Sequence, residues 1–146
     1  DLHSFPTRRS SDLQLEVYVA HPLRGDQPDN ISHILRNMGA VDDICARIVA
    51  TEPEILPLSP INAFSFLPPQ GDQSAVFNLC RALLAACDEL RVFGDWERSE
   101  GCRMEIEHAR ALGLPVVFME VQEDLDPSRC IVSSTAFEPE IPQGDR

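Results

Sequence analysis

A short run rich in β-branched residues, Leu15 to Ala20 (LEVYVA), stops at His21-Pro22 and Arg24-Gly25. Such a run ending in turn residues predicts a strand that enters a loop. Pro28, Asp29 and Asn30 then signal a helix start, and Ile31, Ile34, Leu35, Met38, Val41, Cys45 and Ile48 follow at helical spacing. The spacing predicts a helix running to about Ala50 with those residues on its buried stripe, slightly weakened by Gly39. Glu54 to Leu58 predicts a short second strand interrupted by Pro57. Ser59 to Gly71 (SPINAFSFLPPQG) reads as a long loop. Structured loops of this length often serve a site, so Phe64 and Phe66 either serve one here or cap the core.

Asp72 is a good N-cap for a helix that carries Val76, Leu79, Cys80, Leu83 and Cys87 on one face. Asp88-Glu89 closes it, and Leu90 to Phe93 supplies a third strand. Ser99 to Leu112 predicts the next helix, ended by Gly113, and Pro115 to Val121 (PVVFMEV) a fourth strand. Strands that alternate with helices in this way imply a parallel sheet covered on both faces. The predicted fold is therefore a three-layer, doubly wound α/β domain, flavodoxin- or Rossmann-like, with four to five strands. Cys130 to Ser133, in an acidic and proline-punctuated tail, is the candidate for the fifth, as an edge strand.

At 146 residues the default is one domain, assigned to residues 14–121, with an acidic tail over 122–146. A formal net charge of -12 argues against a nucleic-acid polymer or an anionic membrane as partner, since both need a basic face. A few local donors would still admit a small anionic ligand. No apolar run approaches membrane-spanning length. Cys45, Cys80, Cys87, Cys102 and Cys130 form no CxxC pair and no ligand cluster with the histidines. They are expected to be reduced thiols, mostly in the core, of a cytoplasmic protein without a metal.

The first residues stand apart. Asp1 to Leu13 (DLHSFPTRRSSDL) resembles an in-frame translation of a common sequencing adapter, and contains no apolar segment of the secretory kind. The segment is accordingly set aside as an artefact in place of the true start, and is expected to be disordered. Its two aspartates and two arginines cancel, so the acidic balance belongs to the domain.

Candidate chemistry gathers around Cys87 to Gly113. Ser99 can cap the fourth helix, and Glu100 suits its positive end. Cys102, Ile106, Ala109 and Gly113 fall on one stripe, the expected sheet-facing side. Arg103, Glu107 and Arg110 lie on another, where ion pairs are available. Glu105 belongs to neither: it follows Gly101 by four residues and flanks the buried stripe without an obvious basic partner. A carboxylate so placed, near the C-terminal end of a strand, can attack an electrophilic carbon or stabilise a cation. From pattern alone, a boundary glutamate is the plainer account.

Three segments carry a resemblance: Tyr18 to Gly25 (YVAHPLRG), Cys87 to Gly94 (CDELRVFG) and Ser99 to Ile106 (SEGCRMEI), followed by Ala109, Leu112-Gly113 and Pro115-Val116. Together they resemble the nucleoside 2-deoxyribosyltransferase-like superfamily, in its uncharacterised DUF4406 and DUF7768 branch, across roughly Leu15 to Val121. The resemblance implies that Glu105 is a nucleophile toward C1′ of a nucleoside or nucleotide and that Tyr18 orients it. It further implies that Arg24 and Gly25 match the arginine-glycine of relatives acting on 5′-monophosphates, where a guanidinium, Ser99 and helix-start N–H groups would suit a phosphate. A homo-oligomer, no cofactor, and transfer to a second base or hydrolysis are implied as well.

The chain also departs from those enzymes. Ser99 and Cys80 stand where the established transferases carry aspartates that serve the base. Asp88, Asp95 and Asp72 are candidate substitutes, and no spacing rule selects among them. The substrate side of the expected site is thus Arg24, Gly25, Asp88, Asp95, Ser99 and Gly101. Tyr18 and Glu105 should share one pocket. The competing expectations are a nucleotide-binding module with little chemistry, and a phage-associated interaction protein on the same scaffold.

Overall fold

The structure, a computed structural model, describes residues 15–120. The adapter-like segment 1–13, Cys130, the expected edge strand at Cys130 to Ser133 and the acidic tail lie outside the described residues.

β1 (Leu15–Ala20) leads into α1 (Ile31–Thr51), β2 (Ile55–Leu58), the short α2 (Pro60–Ala63), α3 (Gln73–Ala85), β3 (Glu89–Val92), α4 (Glu100–Ala111) and β4 (Val116–Phe118). A 3₁₀ turn over Trp96–Arg98 precedes α4, and Trp96 packs on Phe118 with ring centroids 5.0 Å apart. The four strands form one sheet in the order β2-β1-β3-β4, every pair parallel. This is the doubly wound α/β architecture expected from the alternation of elements, in flavodoxin-like order. β2 lies at an edge, which explains how Pro57 sits inside a strand: an edge position spares it a ladder bond.

Successive strand residues point to opposite faces, and two cores result. Tyr18, Ala20, Leu90 and Val92 pack with Leu84, Ile106 and Ala109 of α3 and α4. Val17, Val19 and Phe93 pack with Ile44 and Ile48 of α1 on the other face. Arg91, on the same face as Phe93, is buried and held by Glu52 at 2.8 Å and Glu89 at 3.4 Å.

Local capping agrees with the sequence signals. Asn30 accepts from the His33 amide at 3.1 Å, Asp72 from Ser74 at 2.9 Å and Ser99 from Cys102 at 3.3 Å, each opening a helix. Several stripe assignments need correction. Ile31 and Leu35 are exposed, because they fall to one side of the buried stripe of α1; Ile34, Val41, Ile44 and Ile48 carry its packing. On α3, Leu79 is exposed and Leu84 is buried in its place. Gly113 is exposed at φ +73, ending α4 rather than facing the sheet. The expected loop 59–71 contains α2, capped by Ser59. Phe64 and Phe66 belong to neither core; they meet edge to face at 6.5 Å, with Phe66 75% exposed.

Candidate active site at the C-terminal edge of the sheet

The loops that leave β1 and β3 meet at one end of the sheet. Gly94 follows β3 at φ +70, and a Cβ there would lie 3.0 Å from His21 Nε2 and 3.2 Å from Pro22 Cδ, so only a glycine lets the two strand ends approach this closely. The β1–α1 loop turns at Gly25, φ +54, against the ring of His33. Asn37 Nδ2 donates to Leu23 O at 2.8 Å and lies 3.2 Å from His33 Nε2, which ties the loop to α1. Arg24 rides on this loop. Its Nε is buried without a hydrogen-bond partner, and among the described residues it has no carboxylate partner.

Arg24 lines a cavity of about 350 Å³, together with Gly25, His21, Ser99, Gly101 and Glu105. The rest of its lining comes mainly from α2, the following loop and the first turns of α3. The alignment of Ser99 as cap and Glu105 in the second turn of α4 brings both to the same side of the helix start. Gly101 lies between them: a Cβ there would sit 3.7 Å from Phe77 and 3.9 Å from Glu105 Oε1, ordinary contact distances.

Glu105 is the unusual group. Its Oε2 is buried and completes no hydrogen bond, and burial pushes its carboxyl up from 4.5 to about 7. The Tyr18 hydroxyl, beneath it on β1, pulls in the other direction. Tyr18 is fully buried and its own hydroxyl is pushed well above its usual range, by burial first and then by Glu105 and Cys80. The hydroxyl therefore stays protonated as a donor beside the carboxylate. Yet neither Tyr18 Oη nor Glu105 Oε2 closes a bond of normal geometry. Cys80 and Cys102 line the same space; burial, then Glu105, raises their thiols to about 11 and about 12, so both are neutral. Burial lowers His21, partly offset by its bond to Pro22 O.

Three expected acids do not join this group. Asp88 precedes β3 and accepts from the Glu16 amide at 2.8 Å, at the N-terminal edge of the sheet, the end opposite the cavity. Asp95 is exposed and pairs with Arg98 at 3.4 Å. Asp72 is spent on the cap of α3. His21, Gln73, Phe77 and Cys102 line the cavity without having been singled out from the sequence as site residues. Among the described residues no cluster of His, Cys, Asp and Glu could hold a metal, and no helix is long and apolar enough to cross a membrane.

Fold and site together define a three-layer α/β domain with a ligand-sized cavity at the C-terminal edge of a parallel sheet, where open α/β folds place small molecules. The chain belongs to the DUF4406 family (Domain of unknown function), whose model matches residues 15–118. Neither a curated protein nor a solved structure gives a match to it.

Proposed function

We propose that this protein acts on the N-glycosidic bond of a nucleoside or nucleotide, through a covalent intermediate on Glu105. The observation that carries this reading is a largely desolvated carboxylate on the wall of the cavity, whose buried Oε2 lacks a hydrogen-bond partner, beside a tyrosine hydroxyl that remains a donor. A desolvated carboxylate is a stronger nucleophile than a hydrated one, and it also stabilises positive charge developing at a sugar carbon. A Glu105 oxygen bonds to C1′ as the bond from C1′ to the base nitrogen breaks. The electron pair leaves with the base, which takes up a proton from solvent. Water or a second base then attacks C1′ and restores the carboxylate. Arg24, with its unpartnered Nε, would hold an anionic group on the sugar side.

A second reading, a binding module with little chemistry, draws on the acids. Among the described residues, the carboxylate lining the cavity besides Glu105 is Glu100, which is exposed, so none of them offers a second buried acid to protonate the leaving base. The two readings separate by assay. Nucleosides and nucleoside 5′-monophosphates are incubated with the protein, with and without an acceptor base, and free base is measured. Release of base supports the enzyme. Binding with silence on every substrate supports the module and overturns the first reading.

Gly101→Ala gives a test of the site's shape. The added methyl meets only ordinary contact distances, so stability is expected to hold or to rise by up to about 1 kcal/mol through the lost freedom of the unfolded chain. The same methyl narrows the space in front of Glu105 and Phe77, so nucleotide affinity is expected to fall. Urea unfolding and titration calorimetry read the two effects separately; equal or tighter binding would place the ligand elsewhere.

A further inference from the structure

Between residues 60 and 77 the cavity wall is apolar, with Phe64, Leu67, Val76 and Phe77 prominent, and its polar side chains are Ser65 and Gln73. Gln73 opens α3. Its Nε2 donates to Gly71 O at 2.8 Å and to Pro69 O at 3.4 Å. Carbonyl oxygens only accept, so these partners determine which end of the amide is nitrogen, and both of its N–H groups are engaged. The polar atom left for a ligand is Oε1, an acceptor. The neighbouring acid is occupied, since Asp72 Oδ1 accepts from both the amide and the hydroxyl of Ser74.

We propose that Gln73 is a specificity-determining residue for the base, with Oε1 accepting a hydrogen bond from an exocyclic amine. The cavity thus takes amino-substituted bases such as adenine or cytosine ahead of their keto counterparts, hypoxanthine and uracil. This rests on the cavity being a nucleoside or nucleotide site. The apolar wall with Phe64 and Phe77 suits the face of any base and does not discriminate. Discrimination falls to the edge. The exocyclic substituent projects farthest from the ring and meets a polar wall first. An amine there presents N–H to Oε1; a keto oxygen sets acceptor against acceptor, and Gln73 has no N–H to offer without releasing Gly71 or Pro69.

The test measures dissociation constants for 2′-deoxyadenosine and 2′-deoxyinosine 5′-monophosphate by calorimetry. It uses a Glu105→Gln background, which leaves the ligands intact. The amino ligand is expected to bind about five- to tenfold tighter, the range of one neutral hydrogen bond. Adding Gln73→Met should bring the ratio to about one, with Gln73→Ser as a second substitution in case the thioether repacks the loop. Equal binding in the background, a keto preference, no binding of either ligand, or an amino preference that survives both substitutions would each overturn the inference. Base release by the unsubstituted protein is scored separately. An amino preference in binding without release sustains the role of Gln73 and removes the glycosidic reaction; release with no preference does the reverse.

Discussion

Glu105→Ala is expected to lower the rate of base release by about 10³-fold or more, the scale on which removal of a covalent nucleophile acts. Nucleotide binding should hold or tighten slightly, because the side chain removed is anionic and desolvated while Arg24 remains. The effect should therefore lie in kcat and not in KM. The pH profile is a second signature of the same group. A nucleophile must be ionised, and burial sets Glu105 near 7 instead of 4.5. Activity in kcat/KM should thus fall tenfold per unit as pH drops below about 7. An acid limb near 4.5, or Glu105→Ala turning over at the wild-type rate, would remove Glu105 from the chemistry.

The second large effect is on stability. A carboxyl pushed up to about 7 in the fold is protonated there while its unfolded counterpart, near 4.5, is ionised. Below both values the group has no pH-dependent influence. As pH rises from 4.5 through 7 the unfolded state holds fewer protons, so stability is lost across that window and stays lost above it. The shift amounts to about 3 kcal/mol at one pKa unit per 1.36 kcal/mol. Glu105→Gln removes this loss while keeping the size of the side chain. Urea unfolding at pH 4.5 and pH 8 should show the wild type losing about 3 kcal/mol relative to the variant. The other carboxylates titrate in both proteins and cancel in the comparison. Parallel curves for the two proteins would mean that Glu105 reaches solvent.

Such a group serves a site better than it serves the fold. Tyr18 sits beside it and could satisfy it, yet Glu105 Oε2 and the Tyr18 hydroxyl close no bond of normal geometry, and Arg24 Nε, in the same cavity lining, has no partner either. Buried polar atoms in folded proteins are nearly all paired. Two of these orphans, Arg24 Nε and Glu105 Oε2, belong to residues that line the cavity, while the Tyr18 hydroxyl is fully buried outside its lining, next to Glu105.

How far these features were legible depends on whether their cause is local. LEVYVA, the Asn30, Asp72 and Ser99 caps, and the spacing of Cys102, Ile106 and Ala109 are short-range signals, and the elements they predict are present. Leu79 and Leu84 differ by little more than a turn of helix. Which of them is buried depends on how α3 rolls on the sheet, and periodicity does not carry that information. Asp88 is a different kind of error. A residue that immediately precedes a strand in a parallel sheet lies at its N-terminal edge, so the sequence already contained the reason for excluding it. Gln73 and Phe77 have no motif. They reach the cavity because α3 packs beside α4 and brings its first turns to the cavity, and only the packed structure places them there.

The tie between Asn37 and Leu23 has a mechanical meaning for the occupied protein. Arg24 belongs to a loop fastened to α1, which packs on one face of the sheet, while Glu105 rides on α4, packed on the other. A molecule gripped by both side chains becomes a rivet through the thickness of the domain, joining two layers that the sheet otherwise keeps apart. Slack introduced at the Asn37 fastening, remote from the reacting carbon, would then be transmitted to the opposite layer as a looser grip on the same molecule.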